Sequence, residues 1–367
     1  MKIAHVDSEN TWRGGQAQVL GLLRGLAARD HQVVLFCPGG PLAEKASAAG
    51  VRVLPWRARS DFDLGAAARL ARGLAAELPD MVHLHSGRAH ALGAWAARWA
   101  GRLPVVVSRR VDFAVATHPL SALKYRFGVD RYLCISEGVR RVLAAGGVAE
   151  RRLAVVPSGI DVDRWKSRPD PAGLARELGL APGTPVAGSI AALAPHKDQH
   201  TLLRAAALLA PRLPRARWVV FGEGRLRAPL EAERRSLGLD RVVLLPGFTE
   251  RVAEALALLD VFVLSSYLEG LGTSVLDAQA AGVPVVATAV GGVPEIVADG
   301  VTGWLVPPRD PEALAAAVER ALTQPEEAAQ RAARARQSVR RYAIANTVAL
   351  TESEYLAVLA ERAGRSA

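Results

Sequence analysis

The chain is poor in the residues that mark several large protein classes. It holds only two cysteines in 367 residues, Cys37 and Cys134, each at the end of an apolar run that reads as a buried strand. So few thiols exclude a disulfide framework, and both are expected to stay reduced, as in a cytosolic protein. No window approaches twenty uninterrupted apolar residues, and Met1-Lys2-Ile3-Ala4-His5-Val6 already reads as a strand. Neither a membrane-spanning helix nor a signal peptide is expected. No G-x-G-x-x-G follows a strand, which disfavours a hydride-transfer enzyme. No nucleic-acid-binding motif accompanies the positive charge, so nucleic acid is not an expected partner. Asp61-x-Asp63 and Asp161-x-Asp163 lack the further carboxylates or histidines of an octahedral oxygen site and read as turn residues. His83-Leu84-His85 is read as placing its two imidazoles on opposite faces of a strand, where they could not share an ion. No catalytic metal and no cofactor are therefore expected.

Half of the residues are apolar and the mean hydropathy is +0.14, so the chain is globular and long enough for two domains with separate cores. The net charge of +10 is unevenly divided. Residues 1–166 carry 24 Lys and Arg against 14 Asp and Glu, whereas residues 167–367 carry 22 of each. Only five of the 46 basic residues are lysine, which points to arginine-rich codon usage, but codon usage does not confine a surplus to one half. An anionic membrane surface or a phosphorylated acceptor is the expected partner of the first half.

Short β-branched runs alternate with helical stretches along the whole chain. Strands are expected at Ile3–Val6, Gln32–Phe36, Val51–Leu54, Met81–Leu84, Val105–Ser108, Tyr132–Ile135 and Ala154–Val156. A second set is expected at Val186–Ala191, Trp218–Phe221, Val242–Leu245, Asp260–Leu264, Val283–Ala287 and Gly303–Val306. Helices such as Leu64–Glu77, His90–Ala100 and Thr201–Leu209 lie between them. The pattern is α/β with doubly wound parallel sheets. Pro157-Ser158-Gly159-Ile160-Asp161 is polar and bears Pro and Gly, and it reads as the connection between domains.

The most informative stretch is Ser265–Val283, SSYLEGLGTSVLDAQAAGV. A buried strand ends before it, Gly270 and Gly272 break the pattern, and Thr273-Ser274 offers capping hydroxyls to a helix over Val275–Ala281. Such a loop leaves backbone N–H groups free at a helix N-terminus, where a phosphate or diphosphate binds. Glu269 and Asp277 flank it, and carboxylates there are suited to sugar hydroxyls. A ligand with a diphosphate between two polyols has the shape of a nucleotide sugar. The ordinary reading of Asp277 is helix-dipole chemistry.

Glu269, seven residues, then Asp277 resembles the acidic-x7-acidic motif of retaining GT-B glycosyltransferases of family 4. The resemblance covers nearly the whole chain. It implies two Rossmann-like domains facing a central cleft: residues 1–165, completed by a terminal helix over about 346–367, for the acceptor, and 166–345 for the nucleotide sugar. It implies that Glu269 contacts the donor sugar and that Asp277, one methylene shorter than the family's glutamate, holds the ribose. It gives Lys197 the diphosphate, and Ala192 stands where the family also has an arginine, so that either Lys197 and the helix N-terminus suffice or another residue such as His196 contributes. By the same resemblance Gly15, in the first strand-to-helix turn, approaches the donor, and Gly222 and Glu223 line the nucleotide pocket. Phe248 lies where the base is held, and His85 sits beside the reacting carbon. Gly272, Thr273 and Ser274 form the anion-binding turn. Arg109 and Arg110, at the end of a strand, are candidates for an anionic acceptor, and Pro119–Gly128, with Lys124, Tyr125 and Arg126, is expected to extend the basic face towards a membrane.

The function so implied is transfer of a sugar from a UDP- or GDP-linked donor, with retention and without metal, to a glycan or lipid-linked acceptor in cell-envelope synthesis. The expected location is cytoplasmic or peripheral on the inner membrane face. Lys197, Glu269 and His85 are the expected catalytic residues. A GT-B epimerase and a non-catalytic sugar-nucleotide-binding relative are the alternatives.

Overall fold

The computed structural model describes residues 1–366 apart from 114, 116–123, 126 and 168. It divides into two compact units, Met1–Gly159 with Ile344–Ala367, and Ile160–Ala343. The division falls six residues before the expected boundary, because Val162–Trp165 forms a 3-10 turn whose Trp165 is buried in the second unit.

The first unit is built on seven parallel strands: β1 Lys2–Val6, β2 Gln32–Cys37, β3 Arg52–Pro55, β4 Met81–Leu84, β5 Val105–Arg109, β6 Arg131–Cys134 and β7 Leu153–Val155. Their order is β3-β2-β1-β4-β5-β6-β7. The second unit has six parallel strands: β8 Val186–Ile190, β9 Arg217–Phe221, β10 Val243–Gly247, β11 Val261–Leu264, β12 Val285–Thr288 and β13 Trp304–Val306. Their order is β10-β9-β8-β11-β12-β13. Both sheets follow the doubly wound scheme, in which the strand order reverses beside the first strand and leaves a crevice at the carboxyl ends. In the first unit that point lies between β1 and β4, in the second between β8 and β11.

The strands are nearly continuous apolar runs because helices cover both faces of each sheet. Phe262 on β11, for example, is completely buried, as is Val263 next to it. Helices take the remaining apolar periodicity, and Leu202, Leu203, Ala206 and Leu209 on Gln199–Leu209 join Val318 and Ala321 on Pro311–Thr323 in one core. The last helix, Ile344–Ser366, begins two residues before the expected 346 and belongs to the first unit. Its Val348, Tyr355 and Val358 are buried with Leu22, Leu26 and Met81. That helix completes a core which the first 159 residues leave open on one side.

Candidate active site

The reversal point of the second sheet brings two charged side chains together from 72 positions apart. Lys197 ends the 3-10 turn Pro195–Lys197 just after β8, and Glu269 lies in the loop after β11. The Lys197 Nζ is 2.5 Å from Glu269 Oε2, and both side chains are mostly covered, at 18% and 13% exposure. The loops that carry them are tied by backbone and hydroxyl bonds. The Ser265 hydroxyl donates to the Lys197 carbonyl at 2.9 Å, the Tyr267 N–H donates to the His196 carbonyl at 3.0 Å, and the Ser266 hydroxyl donates to Glu269 Oε2 at 3.2 Å. Thr288 on β12 fixes the same loop by donating to the Ser266 carbonyl at 2.5 Å. A cation and a carboxylate are thus held together on crossed supports.

The adjoining helix runs Thr273–Ala280 and begins differently from the sequence expectation. Gly272 is its N-cap, with φ at +91°, and no side chain caps it. The hydroxyls of Thr273 and Ser274 therefore do not close the helix end. These residues are its first turn, and their backbone N–H groups are among those a helix leaves without internal partners. The left-handed backbone at 272 is a conformation that glycine adopts without steric cost. An anion placed at this end meets free donors and the favourable end of the helix dipole.

Asp277 lies one turn further on and is partly buried against the Val162–Trp165 segment. Burial pushes its carboxyl up to about 7, against the opposing pull of Arg164. Near neutral pH it is poised between a hydrogen-bond donor and a double acceptor, either of which can meet a pair of hydroxyls.

Gly222 and Gly224 have a packing role that the sequence reading missed. A Cβ on Gly222, whose φ is +143°, would stand 1.9 Å from the Ala191 carbonyl oxygen. At Gly224 it would stand 2.3 Å from that of Leu193. The loop after β9 lies directly on the loop after β8, joined by Leu193 N–H donating to the Glu223 carbonyl at 3.0 Å. The glycines therefore position the loop that carries Lys197. The Glu223 carboxylate pairs with Arg227 at 3.2 Å. At Ala192, where an arginine is missing, the carbonyl accepts from the Gln199 side chain at 3.0 Å. Phe248, just past β10, presents a ring that is 61% exposed, a surface on which a planar base can stack.

In the first unit Gly15 is the second residue of helix Gly14–Ala27, and a Cβ there would meet nothing within 4 Å. His85 follows β4. The expectation that His83 and His85 point apart is wrong, because residues two apart on a strand share a face. Their ring centroids are 4.0 Å apart. His5 on β1, paired in register with His83, joins them and was not singled out from sequence. Only the adjacency of β1 and β4 reveals it.

The two candidate acceptor arginines are otherwise engaged. Arg109 donates to the Tyr125 hydroxyl at 2.9 Å and to the Phe113 carbonyl at 2.7 Å. Arg110 turns inward to His85, with both terminal nitrogens 3.3 Å from Nδ1. Lys124, expected to extend the basic face, donates to the Gly87 carbonyl at 2.7 Å and lies 3.5 Å from Asp61. Arg126 lies outside the described residues.

Comparison with known proteins decides the family. Residues 174–338 match the model described as glycosyl transferases group 1, and residues 12–164 match glycosyltransferase family 4. The GDP-mannose-dependent alpha-(1-6)-phosphatidylinositol monomannoside mannosyltransferase of Mycolicibacterium smegmatis is 31% identical over 338 residues, spanning 86% of this chain and 88% of its own. The chain belongs to the group 1, family 4 glycosyltransferases.

The D-inositol 3-phosphate glycosyltransferase of Nocardia farcinica is 33% identical over 265 residues, 65% of this chain and 58% of that protein. Among solved structures, Anabaena HepE in complex with UDP and glucose superposes with a TM-score of 0.85 at 22% identity, covering 97% of this chain and 99% of that one. The sucrose-phosphate synthase of Thermosynechococcus elongatus gives 0.85 at 21%, covering 98% and 99%. These likenesses show the fold, which is GT-B, with two Rossmann-like domains. As a member of this family the chain transfers a sugar from a nucleotide sugar.

Proposed function

We propose that this glycosyltransferase moves a hexose from a UDP- or GDP-linked donor to a glycan or lipid-linked acceptor with retention of configuration and without a metal ion. The observation that carries the reading is the Lys197–Glu269 pair at 2.5 Å beside the uncapped helix end at Gly272. A diphosphate at that end draws the Lys197 ammonium, and Glu269, parted from it, accepts from donor-sugar hydroxyls. Asp277 takes the ribose, and the exposed Phe248 ring stacks on the base. Lys197 and the first-turn N–H groups then stabilise the charge that grows on the leaving diphosphate, which is electrostatic catalysis by groups already in place.

The proton of the attacking hydroxyl goes to the departing phosphate on the same face of the sugar, so that one bond to the reacting carbon forms as the other breaks. His85, a buried neutral ring, takes no proton in this scheme. The relatives that act on phosphatidylinositol mannoside and inositol phosphate, by their names, support an anionic, lipid-linked or phosphorylated acceptor.

The test uses purified full-length protein with radiolabelled UDP- and GDP-hexoses, with and without chelator. Release of sugar or its transfer to added acceptor lipid, undiminished by chelator and with the anomeric configuration of the donor, is expected. Binding of nucleotide sugars without any turnover would favour the non-catalytic relative, to which the missing arginine at Ala192 gives its support.

A further inference from the structure

The reversal point of the first sheet holds a buried histidine cluster to which the proposed chemistry gives no proton. One ring nitrogen each from His5, His83 and His85 lies within 4.8 Å of the others, a spacing suggestive of an ion. Five of the six ring nitrogens are already engaged, however. His5 Nδ1 is 2.9 Å from His85 Nε2, His83 Nδ1 is 2.5 Å from the Tyr355 hydroxyl, and His83 Nε2 is 2.8 Å from the Ser108 hydroxyl. His85 Nδ1 faces Arg110. A dication would give up these bonds and sit beside a guanidinium, so the donor set does not suit a metal.

We propose that Arg110 is a positioning residue that fixes His85 as a neutral ring with its proton on Nε2. The assignment follows from which groups can donate. A guanidinium only donates, so His85 Nδ1, which meets both Arg110 terminal nitrogens at 3.3 Å, accepts and carries no proton. The single proton of a neutral imidazole is then on Nε2, where it is donated to His5 Nδ1. His5 in turn carries its own proton on Nε2, which is buried with no partner among the described residues. One fixed donor thus sets two tautomers in series.

The charged and titratable groups around His85 favour the same state. His5 and Asp7 come from the β1 end, His83 from β4, Arg110 from beyond β5 and Tyr355 from the terminal helix. Protonating His85 would set a second donor and a second positive charge against Arg110. Burial, with Arg110 and the neighbouring rings acting in the same sense, holds His85 and His83 well below the ordinary histidine range and His5 at about 3. Burial lowers Arg110 to about 10, with Asp7 opposing, so it stays charged at neutral pH. The consequence for transfer rests on the proposed function: a ring locked in this state supplies no competing base.

Nitrogen-15 NMR of the histidine rings in the full chain tests the assignment. In the wild type His85 is expected to show a protonated Nε2 and a bare Nδ1, unchanged from pH 5.5 to 9. Arg110→Lys, which keeps a donor, should preserve that pattern. Arg110→Met frees Nδ1, and His85 should then mix tautomers or titrate toward the ordinary value near 6.5, while the His83 signals stay fixed by Tyr355 and Ser108. A wild-type His85 protonated on Nδ1, or titrating near 6.5, would overturn the proposal from the native protein alone. So would an Arg110→Met protein with an unaltered pattern. Absence of transfer from any donor would instead sink the sugar reading and leave the NMR result standing.

Discussion

Lys197 carries the largest expected effect of any single side chain. Lys197→Ala should lower turnover by ~10²-fold or more, the usual cost of losing one preorganised charge stabiliser, with a smaller loss of donor affinity. Kinetics alongside calorimetric titration of the nucleotide checks this, and near-normal turnover removes Lys197 from the mechanism. The two acids should fail differently. Glu269→Ala should still bind free UDP or GDP, whereas Asp277→Ala should lose roughly 1.5–3 kcal/mol of nucleotide affinity, the worth of hydrogen bonds to a charged group. Equal affinity in the two variants contradicts the assignment.

Asp277 also gives a pH prediction with a definite sign. Its carboxyl is raised from 3.8 to about 7 in the folded chain. A raised acid adds stability at low pH and loses it as pH climbs to the folded value, because the native state then holds a proton the unfolded chain has released. Asp277→Asn should therefore gain in melting temperature relative to wild type as pH rises from 5 to 8. A constant difference across that range contradicts the buried-acid picture. The acid pair and Lys197 were legible as residues, since glycine placement and spacing mark a ligand loop. Their contact at 2.5 Å was not, because sequence carries no record of which strand lies beside which.

Elements were read better than their ends. The thirteen strands fall where β-branched runs predicted them, since a strand covered on both faces must be apolar throughout. Two local errors have clear causes. The helix start at Thr273-Ser274 was assigned by hydroxyl content, but a glycine with φ of +91° sets the turn, and side-chain chemistry does not disclose backbone conformation. His83 and His85 share one face, contrary to the expectation, because side chains two apart on a strand point the same way, and the third ring, His5, becomes visible only when β1 is known to adjoin β4. The loops after β8 and β9 offer a test at this scale. Gly222→Ala would drive a methyl into the Ala191 carbonyl and force a residue with φ of +143° out of its conformation. It should destabilise the chain by about 1–3 kcal/mol and reduce donor affinity through the displaced Lys197 loop. A variant with wild-type melting temperature and affinity would show that the two loops yield without consequence.

At the scale of the molecule the divided charge asks for an anionic partner, but Arg109, Arg110 and Lys124 already have partners within the chain. Arg109 is bound to Tyr125 and Phe113, Arg110 to His85, and Lys124 to Gly87 and Asp61. A different face of the same unit is better equipped. On helix Gly87–Trp99, Trp95 and Trp99 stand four residues apart, 37% and 50% exposed, with Arg98 exposed between them and Arg102 just beyond. Trp95 stacks on Phe127 at 4.3 Å, and Arg98 lies over the same ring. Indole rings flanked by arginine suit the headgroup layer, where the ring is half buried and each cation adds about 1 kcal/mol against anionic lipid. No helix among the described residues is long and apolar enough to cross a membrane. Full-length protein should co-sediment with anionic liposomes at low salt, release as the Debye length shrinks below ~8 Å, and ignore neutral vesicles. Trp95→Ala with Trp99→Ala should weaken sedimentation at every salt concentration, whereas Arg98→Gln with Arg102→Gln should flatten its salt dependence. Sedimentation unaffected by either pair would move the membrane contact elsewhere, and none at all would make a soluble, phosphorylated acceptor the partner of the basic half.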